Sequence, residues 1–170
     1  MKIALLALLF ASPAFLQAQS ARAAGACGPE KVNFTVKAVE SEHVVQQPEP
    51  GKARVYFFQD SGMTSVTFGA YPTTKVGMDG AWVGANHNST FFSVSADPGV
   101  HHLCTVVQSK LLQRRLELAH FTAVAGKIYY YRTRLTIGQA LEYLELRPVD
   151  SDEARYLIAT DPRSVSRPKK

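Results

Sequence analysis

The sequence predicts a mainly β protein, folded as a two-layer β-sandwich of about eight short strands with one short C-terminal helix. Short segments rich in β-branched and aromatic residues recur along the 170-residue chain, separated by turn sequences such as Asp79-Gly80 and Asp97-Pro98-Gly99. Many short strands with regularly spaced turns are typical of a sandwich. The length and the 46% content of hydrophobic residues favour a single domain with one core.

The N-terminus has the pattern of a secretory signal peptide over residues 1–23. Lys2 provides a short positive region, an apolar run extends from Ile3 to Phe15, and Ala21-Arg22-Ala23 forms a small-x-small cleavage site. The apolar run contains Pro13 and is shorter than the roughly 20 residues that a transmembrane helix needs. We therefore expect a protein exported to the periplasm or the extracellular space, with no transmembrane segment after cleavage.

Two alternatives concern this terminus. Cleavage after Ala18 would be nearer the apolar run but would leave a bulky residue three positions before the cut. Ala24-Gly25-Ala26-Cys27 faintly resembles a lipobox, but it lacks the usual leucine and lies far beyond the apolar run, so lipid anchoring through Cys27 is not expected. Cleavage after Ala23 removes Lys2 and Arg22, which leaves 17 basic against 14 acidic residues. This mild excess does not predict a nucleic-acid partner.

The two cysteines, Cys27 and Cys104, are predicted to form a disulfide. Both remain after cleavage, and an even number of cysteines in an exported chain favours pairing. The bond would tie the mature N-terminus to a strand in the middle of the chain.

The strand prediction begins with Lys31–Val39, which a Pro-rich loop follows. Lys52–Gln59 is apolar on both faces, as in a central strand that is covered on both sides. Asp60–Thr74 is ambiguous and contains a candidate edge strand. The predicted organisation has four parts: signal peptide 1–23, N-terminal strand and loop 24–50, sandwich domain 51–160 and basic tail 161–170.

Hairpins are predicted at three turns: Asp79-Gly80, Asp97-Pro98-Gly99 and Ala125-Gly126. At the first turn, the register places Trp82 opposite Gly77, with the indole over the bare glycine, and Val83 opposite Val76. The polar stretch 110–115 is interpreted as a long hairpin loop. Leu141–Pro148 is the last predicted strand.

The chain changes character after this strand. Asp150 is a predicted N-cap with Glu153 at the capping-box spacing, so the sequence predicts a helix over residues 151–159 that ends at Asp161-Pro162. The basic residues that follow are expected to be frayed.

Several segments together resemble the bacterial envelope family called domain of unknown function 2846. The resemblance rests on Lys52–Phe58, on the PGxHxL turn and strand at Pro98–Leu103, and on the AGKxYY strand at Ala125–Tyr130. It implies an exported bacterial domain with no assigned activity, and members are often lipid-anchored. The PGxHxL turn is also similar to turns of transthyretin-like and carboxypeptidase-regulatory modules. This similarity favours an Ig/transthyretin-like sandwich without indicating a function.

The motifs of common enzyme classes are missing: the sequence has no G-x-S-x-G, H-E-x-x-H, C-x-x-C, P-loop or Rossmann glycine pattern. We therefore expect a non-catalytic envelope or extracellular module without a cofactor, which binds an envelope protein or polymer. A hydrolase with an unrecognised site is one alternative. The other is a small metal-binding protein that uses His102 with His87 or His120, although a disulfide at Cys104 would remove the neighbouring thiolate.

A candidate ligand surface combines aromatic and cationic side chains: Trp82, Tyr129, Tyr131, Arg132 and Arg134. Aromatic rings with arginines at their border suit sugars or acidic polymers. The structural alternative is that these aromatic residues pack in the core with their polar groups at the rim.

Overall fold

The computed structural model describes residues 27–40, 43–60, 72–109, 116–137 and 142–169. The signal peptide, the polar stretch 110–115 and most of the ambiguous stretch 60–74 lie outside these ranges. The described residues form ten strands and one helix: β1 Phe34–Val39, β2 Ala53–Asp60, β3 Thr73–Met78, β4 Ala81–His87, β5 Thr90–Ala96, β6 Gly99–Gln108, β7 Leu116–Ala123, β8 Ile128–Ile137, β9 Glu142–Pro148, α1 Ser151–Thr160 and β10 Arg163–Pro168. No described helix is long and apolar enough to cross a membrane.

The strands form two sheets, one in the order β1-β10-β5-β2-β8-β9 and one in the order β4-β3-β6-β7. Side chains from both sheets meet in one core: Ala53, Val55, Phe57, Val76, Phe92, Ala96, Leu103, Phe121, Ala123, Tyr131 and Leu146. The predicted mainly β sandwich with one short C-terminal helix is therefore confirmed. The strand predicted to be central, β2, pairs with β5 on one side and with β8 on the other.

The first predicted hairpin is correct at its turn and differs further along. Asp79 and Gly80 both have positive φ, 52° and 85°, and Gly77 lies opposite Trp82. Val76, however, lies opposite Gly84 rather than Val83, because the register shifts by one residue and leaves Val83 as the extra residue of a bulge. The shift places Gly84 against Phe92, where an added Cβ would come within 2.6 Å of the ring.

The other two predicted hairpins are wrong, because their turns connect different sheets. Strand β5 pairs with β2 and β6 pairs with β3, so the Asp97-Pro98-Gly99 turn crosses from one layer to the other. The turn at Ala125-Gly126 likewise leads from β7, beside β6, to β8, beside β2. These turn residues reverse the chain, but core packing decides which sheet each strand joins. Strands β6 and β7 do pair antiparallel on either side of residues 110–115, as the hairpin-loop interpretation requires.

The C-terminal helix is confirmed, and the frayed tail is not. Asp150 caps α1 by accepting hydrogen bonds from the backbone N–H groups of Asp152 and Glu153. The basic residues beyond the helix form β10, which pairs antiparallel with β1 and meets β5 at its first residue. The tail is ordered because residues of β1 and β4 form hydrogen bonds with it. The Ser164 hydroxyl donates to the Ala85 carbonyl, and the Ser166 hydroxyl accepts from the Ala85 N–H, so β10 bridges to β4.

Candidate functional site

Residues 27–33, called here the N-terminal segment, lie on the outer face of the four-stranded sheet. The predicted disulfide is confirmed: Cys27 is bonded to Cys104 in β6, across a sequence separation of 77, with 5.3 Å between their Cα atoms. Cys104 lies opposite Gly77 of β3, and the side chain that precedes it, Leu103, points into the core. Since side chains alternate along a strand, Cys104 faces outward and attaches the segment to that face.

Trp82 holds the segment by a second contact. Its indole Nε1 donates to the Pro29 carbonyl at 2.8 Å. Gly28 lies directly against the ring, because a Cβ built on Gly28 would come within 2.4 Å of the indole Cδ1. The sequence predicted the indole over Gly77; Gly77 does lie opposite Trp82 in the sheet, but the glycine found in close contact with the ring is Gly28.

Lys75 of β3 provides the third contact and is the unusual residue of this face. Its side chain is directed outward, since Val76 faces the core, yet the residue is only 4% exposed. The ammonium Nζ donates to the Val32 carbonyl at 2.6 Å and lies 4.3 Å from the centre of the Trp82 ring. No described carboxylate forms an ion pair with it. Burial lowers the pKa of Lys75 from its usual 10.5.

Gln108 positions the point where the segment becomes strand β1. Its side-chain Oε1 accepts from the Phe34 N–H, and its Nε2 donates to the Phe34 carbonyl at 2.9 Å. The amide therefore completes the backbone hydrogen bonding of Phe34 in place of a neighbouring strand. Together with the disulfide, Trp82 and Lys75, this contact fixes the segment at four separate points.

These separate points leave a cleft of about 800 Å³ between the segment and the sheet. Its polar lining contains three lysines and a single carboxylate: Lys31, Lys75, Lys169 and Glu30. Its apolar lining includes the Cys27 end of the disulfide, Trp82, Val106 and Leu116. The volume and the mixture of apolar walls with a few polar groups fit a ligand site.

The predicted Tyr/Arg surface is contradicted by the orientation of β8. Tyr131 is only 6% exposed and its ring packs on Phe57 and Phe121 in the core. Tyr129 packs against the same core, and its hydroxyl donates to the Thr122 carbonyl at 2.9 Å.

The two arginines lie on the opposite face of β8. Arg132 is hydrogen-bonded to Glu153 of α1, and Arg134 to Asp60 of β2. Alternation along the strand therefore separates the tyrosines from the arginines, and the structural alternative is correct for Tyr129 and Tyr131. Of the five predicted surface residues, only Trp82 lines the cleft.

The histidines considered as metal ligands do not form one cluster. His102 lies opposite His120 on the outer face of β6 and β7, whereas His87 is beside Thr73 at the other end of the sheet. Thr73, beside His87, lies opposite Gln108 of β6, which is six residues and about 20 Å along the strand from His102. Among the described residues, no group of three or more His, Cys, Asp or Glu side chains is arranged to hold a metal ion.

Sequence reasoning missed Lys75, Gly28 and Gln108. The predicted disulfide could have indicated them. A bond from Cys27 to an outward-facing residue of β6 must bring the residues next to Cys27, such as Gly28, onto the outer face of that sheet. Comparisons with known proteins add no further assignment: no protein-family model, curated protein or solved structure matches this chain.

Proposed function

We propose that this protein is an exported, non-catalytic binding module and that the cleft beneath the N-terminal segment is its ligand site. The observation that carries the proposal is the cleft itself, a space of about 800 Å³ under a covalently attached cover. Because the disulfide and the hydrogen bonds to Trp82 and Lys75 hold the cover, the site is preformed. A preformed site loses less conformational entropy on binding.

Export is supported by two separate features of the chain. Residues 1–23 have the composition of a signal peptide, and disulfides persist mainly in oxidising compartments outside the cytosol. The Cys27 sulfur is engaged in the disulfide, and a lipid anchor would need the same atom. An envelope or extracellular location agrees with the family resemblance, which stays a prediction.

The lining of the cleft supports binding rather than catalysis by a cysteine or a histidine. Its members include no histidine, and the cysteine among them is disulfide-bonded. Nucleophilic catalysis usually needs a free nucleophile within hydrogen-bonding distance of a base. An amine, amide groups and apolar walls instead suit recognition of a ligand.

The proposal can be tested by obstructing the cleft. Val106 lines it, whereas Val100 is on the same face of the same strand, is 63% exposed and lies outside it. We expect ligand-observed NMR with a library of charged and neutral fragments to find compounds that bind the wild type and Val100→Phe alike. Val106→Phe should weaken their binding by about tenfold or more, because the larger ring occupies the site.

Thermal unfolding followed by circular dichroism would verify that both variants are folded. The proposal is wrong if no fragment binds the wild type, or if Val106→Phe binds the same fragments with unchanged affinity.

A further inference from the structure

We propose that the ligand of this cleft is an apolar monocarboxylate whose acidic group binds to Lys75. The inference rests on the proposed function, because it names the ligand class of the same site. Lys75 is buried and lines the cleft at a point that we call its floor, and Val106 and Leu116 follow it across β6 and β7.

The hydrogen bonding of Lys75 is the first argument. An ammonium group has three N–H donors and no acceptor. The Val32 carbonyl accepts one of them, and the face of the Trp82 ring attracts the cation. The described residues provide no ion-pair partner, although a buried charge is costly without one. A carboxylate that enters the cleft would supply both the countercharge and the missing acceptors.

The lowered pKa of Lys75 agrees with this geometry. Burial disfavours the charged amine and lowers the pKa, and no carboxylate of the described residues opposes that effect. A bound anion would favour the charged form and raise the pKa again.

The charge at the rim is the second argument. Lys31 and Lys169 are exposed at the edge of the cleft, where Glu30 is the only described carboxylate. Such a rim attracts anions before they bind. At the floor, however, a single ammonium matches a single negative charge. The site therefore suits a monocarboxylate better than a doubly charged phosphate ester.

The apolar walls are the third argument. Val106 lies opposite Lys75, and Trp82 contacts the lysine ammonium. Leu116 and Cys27 add to the apolar lining. The indole Nε1 is the one good hydrogen-bond donor among these apolar side chains, and it already donates to the Pro29 carbonyl. The part of a ligand that lies against them is therefore expected to be apolar. A hydrocarbon chain or ring attached to the carboxylate would fill this space and bury apolar area.

Trp82 makes the experiment direct, because it is the only tryptophan of the chain and lines the cleft. Its fluorescence would be titrated with 4-phenylbutyrate and with the uncharged 4-phenylbutyramide, and ligand-observed NMR would check the dissociation constants. We expect the carboxylate to bind at least about tenfold more tightly than the amide, as one ion pair in a shielded site predicts. Inorganic phosphate should compete poorly.

Substitution at Lys75 assigns this preference to one residue. Lys75→Met keeps the length of the side chain and removes the charge, so the preference for the carboxylate should disappear; Lys75→Gln is a second variant in case the first does not fold. Lys37→Met is the matched control, since Lys37 is exposed on β1 and lies outside the cleft. It lowers the net charge equally and should keep the preference.

The outcomes separate the two proposals. Equal binding of the carboxylate and the amide, tight competition by phosphate, or a preference that survives in Lys75→Met would each overturn the monocarboxylate inference. If neither probe binds, the inference is also wrong. The cleft would still be a ligand site if Val106→Phe abolished the binding of other fragments.

Discussion

Each sheet has a cover over part of its outer face, and the two covers differ in their chemistry. On the six-stranded sheet, Ala154 and Ile158 of α1 pack on a layer of buried aromatic side chains: Tyr56, Phe58 and Phe91. On the four-stranded sheet, the N-terminal segment is held by one disulfide and by hydrogen bonds from Trp82 and Lys75.

The difference follows from the secondary structure of each cover. Residues four apart on a helix lie on one side, so Ala154 and Ile158 present a continuous apolar stripe that seals the face beneath them. The N-terminal segment has no regular structure and contacts the sheet at separate points. Space remains between those points. The cleft proposed as a ligand site therefore lies under the irregular cover, where the contacts leave space.

The largest expected effect comes from releasing the irregular cover. In Cys27→Ser/Cys104→Ser, the free energy of unfolding should fall by about 4 kcal/mol, because the unfolded chain regains the entropy of a long loop. Guanidinium titrations of the variant and of the oxidised wild type would measure the loss. A reducing agent should destabilise the wild type and leave the double variant unchanged. A loss under about 1 kcal/mol would contradict the loop-entropy account of this disulfide.

The helical cover should respond to a change in packing. Ile158→Ala removes a fully buried side chain and should reduce the free energy of unfolding by roughly 3 kcal/mol, through lost contacts and the cavity that remains. Tyr156→Ala on the same helix is the control, because Tyr156 is 67% exposed and should change stability by less than about 0.5 kcal/mol. Similar losses in both variants, measured by chemical denaturation, would mean that α1 does not seal this face through its buried stripe.

Local signals in the sequence predicted much of this fold. The central strand was predictable because Lys52–Gln59 is apolar on both faces, and α1 because Asp150 and Glu153 have the spacing of an N-terminal cap. The pairing of Gly77 with Trp82 followed from the Asp79-Gly80 turn alone. In each case the determining residues are neighbours in the sequence, so tertiary contacts did not have to be known.

Features that depend on distant contacts were not predictable. The turn at Asp97-Pro98-Gly99 indicates a reversal of the chain but not that β5 joins β2, which depends on packing such as that of Phe92 on Phe57. The basic tail becomes β10 because β1 and β4 supply its partners. Lys75 appears as an ordinary polar residue of a strand until the pairing of β3 with β4 places Trp82 beside it and the disulfide brings Val32 over it.

His101 joins the two sheets at a site distinct from both covers. Its Nδ1 is 2.5 Å from the Asp79 carboxylate, in the β3–β4 turn, and its Nε2 is 2.7 Å from the Asp97 carbonyl, at the crossing from β5. Both partners have acceptor oxygens, so the protonated imidazole, which donates from both ring nitrogens, is the form that this geometry favours. Burial lowers the pKa of His101, but the hydrogen bonds to Asp97 and Asp79 outweigh it, and the pKa is raised above 6.5.

The smallest expected effect is therefore a pH dependence of the free energy of unfolding, which arises from His101 and not from either cover. Because the pKa of His101 is raised on folding, its contribution is fully present below pH 6.5 and is lost as the pH rises through the folded-state pKa. From about pH 6 to about pH 9, the free energy of unfolding should fall by roughly 1.5 kcal/mol, the lower end of what a hydrogen bond to a charged group contributes. In His101→Gln, which leaves Asp79, Asp97 and the adjacent Lys52 in place, denaturant titrations should show an unfolding free energy that changes less with pH. If the variant keeps the wild-type slope, the pH dependence arises from another group, and the protonated link between the two turns is wrong.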